Sequence, residues 1–75
     1  MDSRNQPKIA ALQRKRALME NQATDVMSSI THLKYEISKN PNKATYQSAL
    51  QNKERELSNI KKNLEQIIAQ LNALT

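Results

Sequence analysis

Apolar side chains recur along this chain at alternating intervals of three and four residues, with one polar member in each half and a break at Asn40-Pro41-Asn42 near the middle. Such spacing places one apolar stripe along an α-helix and is typical of the heptads of coiled coils. Before the interruption the stripe comprises Ile9, Leu12, Arg16, Met19, Ala23, Val26, Ile30, Leu33 and Ile37. After it the stripe comprises Tyr46, Leu50, Lys53, Leu57, Ile60, Leu64, Ile67, Leu71 and Leu74. We call these two series together the seam.

The two series mirror each other, because facing residues lie at equal distances in sequence on either side of the turn. Val26 then faces Leu57, and Ile9 faces Leu74. Proline disfavours a helical residue before it but fits the first helical turn, and Asn is a good N-cap. We therefore predict an all-α fold over residues 1–75: one two-helix antiparallel coiled-coil hairpin with helix 1 at about 5–39, the turn at 40–42 and helix 2 at about 41–74.

Charged residues fit this register. Arg16 and Lys53 are the polar members of the seam, and their long stems can lie along an apolar surface while the charge stays in water. Glu20 and Lys61 occupy corresponding flanking positions on the two arms, where we expect an exposed pair worth about 0–1 kcal/mol.

Composition argues against an enzyme. The sequence has no Gly and no Cys, and its single His is His32. It therefore offers no Gly-rich phosphate loop, no thiol nucleophile and too few ligands for an ordinary zinc site. His32 lies on the helix face turned away from the seam, where a solvated side chain is expected. We predict no catalytic residues, no metal site and no cofactor.

Length and hydropathy indicate a protein that works with a partner outside the membrane. A chain of 75 residues buries a low fraction of its surface and is only marginally stable alone. Its apolar runs are far shorter than the roughly 20 residues of a transmembrane helix, and the N-terminus lacks a signal-peptide pattern. We expect a cytoplasmic protein.

Apolar residues beside the seam suggest where a partner binds. Met27 and Ile68 flank the seam on one side, and Leu18 and Ala11 form a second short row near the open end of the hairpin. Methionine adapts readily to the shape of a partner. The predicted partner-binding residues are Leu18, Met19, Met27, Tyr46, Leu64 and Ile68. The partner could be a different protein, or a second copy in a four-helix homodimer.

The net charge of +5 is concentrated at the N-terminal end, in Arg4, Lys8, Arg14, Lys15 and Arg16. A contact with nucleic acid or an acidic protein is one interpretation. However, Arg14, Lys15 and Arg16 spread around the helix, and no aromatic residue lies beside them to stack on a base. We favour a solvated helix end and expect no nucleic-acid binding.

The second arm also carries a family resemblance. Its carriers are Tyr46, Gln47, Gln51, Leu57, Ile60, Ile67 and Ile68, within the stretch from Asn42 to Leu71. With two long arms and a short polar turn, the chain resembles the small co-chaperones of type III secretion needle subunits, the YscE type. Only the second arm shares residues with that family; the first arm is longer and more basic, and Pro41 replaces a Gly-containing turn.

The resemblance implies binding without catalysis. Members of that family pair with a larger helical-repeat chaperone, and the pair holds the needle subunit in the cytoplasm before export, as a heterodimer or heterotrimer. Needle subunits are themselves helical hairpins, and the segments 39–42 and 46–48 look like theirs, which makes an exported structural subunit the first alternative. A self-associating basic coiled-coil scaffold or nucleic-acid-binding protein is the second.

Overall fold

The computed structural model describes residues 3–75 as two long helices packed side by side. A 3-10 turn at Ser3–Asn5 leads into helix α1, Gln6–Lys39, and helix α2 spans Ala44–Leu74. The molecule measures 58 × 14 × 12 Å, and its radius of gyration is 17.1 Å. A compact globular domain of this length would have a radius of gyration of about 11 Å. The predicted all-α hairpin is confirmed, and its shape is a rod.

The turn differs in detail from the prediction, because α2 begins at Ala44 rather than near residue 41. The backbone N–H of Lys43 donates a hydrogen bond to the carbonyl oxygen of Asn40, over 3.2 Å. This bond closes a β-turn with Pro41 at its second position, where the fixed φ of proline is favoured. Pro41 therefore belongs to the β-turn and not to the first turn of α2. The N-cap position is occupied by Lys43 rather than by an asparagine.

The seam forms the interior of the hairpin as predicted. Its most buried members are Ile9, Ala23, Val26, Ile30, Ile60, Ile67 and Leu71. They form two clusters: one around Val26 and Ile60, and one at the open end around Ile9 and Ile67. Met19 packs against both clusters. Both clusters contain residues of α1 and α2, which is what the mirrored register requires.

The two polar members of the seam each form an ion pair within their own helix. Arg16 Nε lies 2.7 Å from Glu20 Oε1, and Lys53 Nζ lies 3.4 Å from Glu56 Oε2. The expected pair of Glu20 with Lys61 does not form within residues 3–75, where Glu20 turns to Arg16 instead. The prediction of that pair was wrong because a partner four residues away on the same helix is already within reach.

Candidate partner-binding surfaces

Large apolar side chains remain exposed along both sides of the seam. Leu18 is 59% exposed, Met27 45% and Ile68 38%. Within residues 3–75, moreover, no side chain is completely buried. Two helices can cover each other on one face only, so the flanks of the apolar stripe are left to solvent. A partner that binds these flanks would remove the most apolar surface from water.

Met27 and Ile68 lie on the same side of the seam. Each directly follows a buried seam residue, Val26 and Ile67 respectively, and in an antiparallel pair these positions face the same way. Along the rod they are about 18 Å apart by the helical rise per residue. We call this the Met27 side. A partner that covers both side chains must therefore extend over about a third of the 58 Å length of the hairpin.

The structure does not bring the six predicted partner-binding residues to one surface. Leu18 lies across the seam from the Met27 side, two helical turns beyond Ala11. Met19 and Leu64 are half-buried members of the seam and pack against its core. Leu18 and Met27 therefore belong to opposite sides of the hairpin, and one flat partner surface cannot contact both.

Tyr46 is half-buried at the turn end of the seam. Lys43 Nζ lies 5.3 Å from the centre of its ring, a cation–π contact. Its neighbour Gln47 donates a hydrogen bond from Nε2 to the carbonyl oxygen of Pro41, over 3.3 Å. In this hairpin, the Tyr46-Gln47 pair on which the family resemblance depends helps to hold the turn.

The second aromatic residue, Tyr35, is 53% exposed near the same end, with Lys39 Nζ 4.6 Å from its ring centre. Tyr35 lies on the outer face of α1, outside the seam, where the apolar periodicity gives no signal for it. Its exposure adds an aromatic contact point beside the turn.

A shallow groove runs along the side that carries Leu18. At the open end its walls comprise Lys8, Ala11, Leu12, Gln70, Ala73 and Leu74. The next concavity is lined by Lys15, Met19, Asn63, Gln66, Ile67 and Gln70. Further concavities continue toward the turn past Asp25, Glu56 and His32. We call this series the lateral groove. Small side chains at Ala11 and Ala73 open it, a signal that the sequence contained but that periodicity alone did not reveal.

The basic residues of the first arm divide into distinct environments. Lys8 and Lys15 line the lateral groove. Arg14 Nε donates to the carbonyl oxygen of Ala10 at 3.4 Å, and Arg16 is paired with Glu20. The positive charge is therefore a set of separate positions, of which two border a concave surface.

The described residues do not assemble a metal centre. Within residues 3–75 no three His, Cys, Asp or Glu side chains come close enough to hold a metal ion. His32 is exposed, with Nε2 3.9 Å from Glu36 Oε1. Over the same residues, neither helix contains a segment of the length and hydrophobicity that a membrane crossing needs.

Comparison with known proteins found no relative of this chain. The chain matches no protein-family model, no curated protein and no solved structure.

Proposed function

We propose that this chain is a non-catalytic binding protein whose hairpin docks along its Met27 side onto a larger helical partner. The observation that carries the proposal is the exposure of Met27 and Ile68 beside a seam that is already complete. Neither side chain is needed to close the hairpin, and both become buried when a second apolar surface covers that side. Helices commonly bind in this way, by laying an apolar face into a hydrophobic groove.

The surface area of the molecule supports the same proposal. The chain exposes 5684 Å². A compact monomer of its mass exposes about 4700 Å². The difference of roughly 1000 Å² is comparable to the area that a specific protein interface buries. A partner that covers one side would stabilise the folded hairpin through the linkage between binding and folding.

The partner class is proposed from the resemblance of the second arm to co-chaperones of type III secretion needle subunits. On this proposal the partner is a helical-repeat chaperone, and the pair keeps a needle subunit in the cytoplasm before export. The concave row of helices in a repeat protein suits a rod about 58 Å long and 14 Å wide. The hairpin would act by stabilising the larger chaperone rather than by chemistry.

The test is affinity capture of the tagged chain from its own cells, followed by mass spectrometry. The variant Met27→Lys with Ile68→Glu places charge on the Met27 side without changing the net charge. Its matched control, Asn21→Lys with Ser48→Glu, introduces the same two charges at exposed positions on the outer faces. Circular dichroism should show that both variants remain helical.

We expect the wild-type chain and the control to capture a helical-repeat protein together with a needle-sized protein, and the Met27 variant to lose both. Because the contact is apolar, raising the salt concentration should not release the complex. Capture of nucleic acid, or of the chain alone as a homodimer, would contradict the proposal.

A further inference from the structure

We infer that the open-end half of the lateral groove is a second docking surface, whose occupant is an acidic amphipathic helix of another protein. This half is lined by Lys8, Ala11, Leu12, Ala73 and Leu74, and then by Lys15 and Met19. It lies across the seam from Met27 and Ile68, so it goes beyond the surface used in the proposed function and can be occupied at the same time.

The floor of this half-groove suits an apolar helix face. Leu12, Met19, Leu74 and Ile67 provide apolar surface between the two arms. Ala11 and Ala73 border it with small side chains, which let a third helix approach closely. Leu18 stands 59% exposed about 10 Å further along the same side, by the helical rise. Apolar residues at successive turns of a partner helix would meet this row.

The charge of the half-groove selects an acidic partner. Lys8 and Lys15 stand on its α1 side, whereas Gln66 and Gln70 of α2 line it without charge. None of the described residues that line these two concavities is Asp or Glu. Carboxylates on one flank of the partner helix would therefore face two lysines and meet no opposing acid, whereas a basic helix would be repelled.

The same charges limit the length of the bound segment. From Lys8 to Met19 the half-groove is about 17 Å long, or three helical turns. The next concavity toward the turn is lined by Asp25 and by Glu56, which is paired with Lys53, so its net charge is negative and disfavours further carboxylates. The bound acidic segment is thus confined to the open end.

The experiment is a titration of the isotope-labelled full chain with two synthetic helical peptides, followed by nuclear magnetic resonance. Each peptide is about 14 residues long, with Leu at helical spacing; one carries Glu at its flanking positions and the other Lys. The acidic peptide should shift the amides of Ala11, Leu18 and Ala73, leave those of Met27 and Ser48 unchanged, and bind less tightly as salt increases.

Two charge-reversal variants make the test specific. Lys8→Glu with Lys15→Glu should weaken the acidic peptide about tenfold and favour the basic one. Lys61→Glu with Lys62→Glu, which makes the same change in net charge outside the groove, should alter the affinity less than about twofold. Ala73→Gln, which fills the groove, should weaken both peptides.

Several results would overturn the inference. These are the absence of saturable binding by the acidic peptide, equal binding of the two peptides, and equal effects of the two charge reversals. Tighter binding of a DNA strand or of anionic lipid vesicles than of the acidic peptide would also overturn it, because the groove would then serve a nucleic acid or a membrane. None of these results depends on the helical-repeat partner of the proposed function.

Discussion

Gln47 braces the turn from within α2, since its side-chain Nε2 donates a hydrogen bond to the carbonyl oxygen of Pro41, 3.3 Å away. The residue at the N-cap position, Lys43, provides no side-chain cap among the described contacts. The start of α2 is instead tied to the turn by Gln47 and by the backbone bond from Lys43 to Asn40. The side-chain amide of Gln47 thus anchors the start of α2 to the turn.

Substitution of Gln47 by Ala should lower the free energy of unfolding by about 0.5–1 kcal/mol, because one hydrogen bond is lost. The bond is exposed, so the lower end of this range is expected. Gln51→Ala, one helical turn further along the same helix and also exposed, is the matched control and should leave stability nearly unchanged. Urea denaturation followed by circular dichroism measures both. Equal losses in the two variants would show that the bond to Pro41 contributes nothing.

The register of the seam predicts which cysteines can be joined. Val26→Cys combined with Leu57→Cys should form a disulfide within one chain on mild oxidation, because the mirrored register places these two positions opposite each other in one packed cluster. Val26→Cys combined with Leu64→Cys is the control, since it moves the second sulfur about 10 Å along the rod, beyond disulfide reach. Mass spectrometry of the oxidised, unreduced monomer distinguishes the two. Efficient linkage in the control would contradict the register.

Adjacent isoleucines allow a test of what is interior and what is surface. Ile67 is 4% exposed, whereas Ile68 is 38% exposed. Ile67→Ala should reduce the free energy of unfolding by about 2–4 kcal/mol because it leaves a cavity. That is a large part of the roughly 4–11 kcal/mol expected for a chain of this length. Ile68→Ala should cost less than about 1 kcal/mol. Comparable losses, measured by urea denaturation, would mean that Ile68 belongs to the core.

The polar members of the seam should be replaceable with a gain in stability. Arg16→Leu or Lys53→Leu should each add about 1 kcal/mol, because partial burial of a leucine outweighs the lost ion pair, worth about 0.2–0.5 kcal/mol. Arg14→Leu, on the outer face of α1, is the control and should give no gain. Thermal unfolding at several protein concentrations separates this effect from self-association. A loss of stability in both seam variants would disprove the expectation.

The fold could be predicted because one periodic signal runs through almost the whole sequence. Buried residues such as Ile9 and Leu71 stand far apart in sequence, yet the mirrored spacing brings them into one cluster through helical geometry alone. The side chain of Lys53 is long enough for its stem to lie in the seam while its ammonium group pairs with Glu56. Its place in the seam could therefore be predicted as well.

The turn and the surfaces were harder to predict, since local alternatives compete there. The φ of Pro41 suits both a β-turn and a first helical turn, and the choice depends on the bonds made by Lys43 and Gln47. Glu20 had candidate partners on both helices. The lateral groove depends on small residues, Ala11 and Ala73, that meet only after the hairpin has closed.

The division of the core around Met19 has a consequence for motion. Met19 is the side chain that packs against both the cluster at the open end and the cluster around Val26. Arg16, one helical turn before it, is a polar member of the seam. At the other end the turn joins the two helices covalently. The helices therefore separate most easily at the open end. Amide hydrogen exchange should therefore be slow near Val26 and Ile60 and grow faster toward Ile9 and Leu71. A protein that binds the open end would therefore determine how much of the length of the two helices stays packed together.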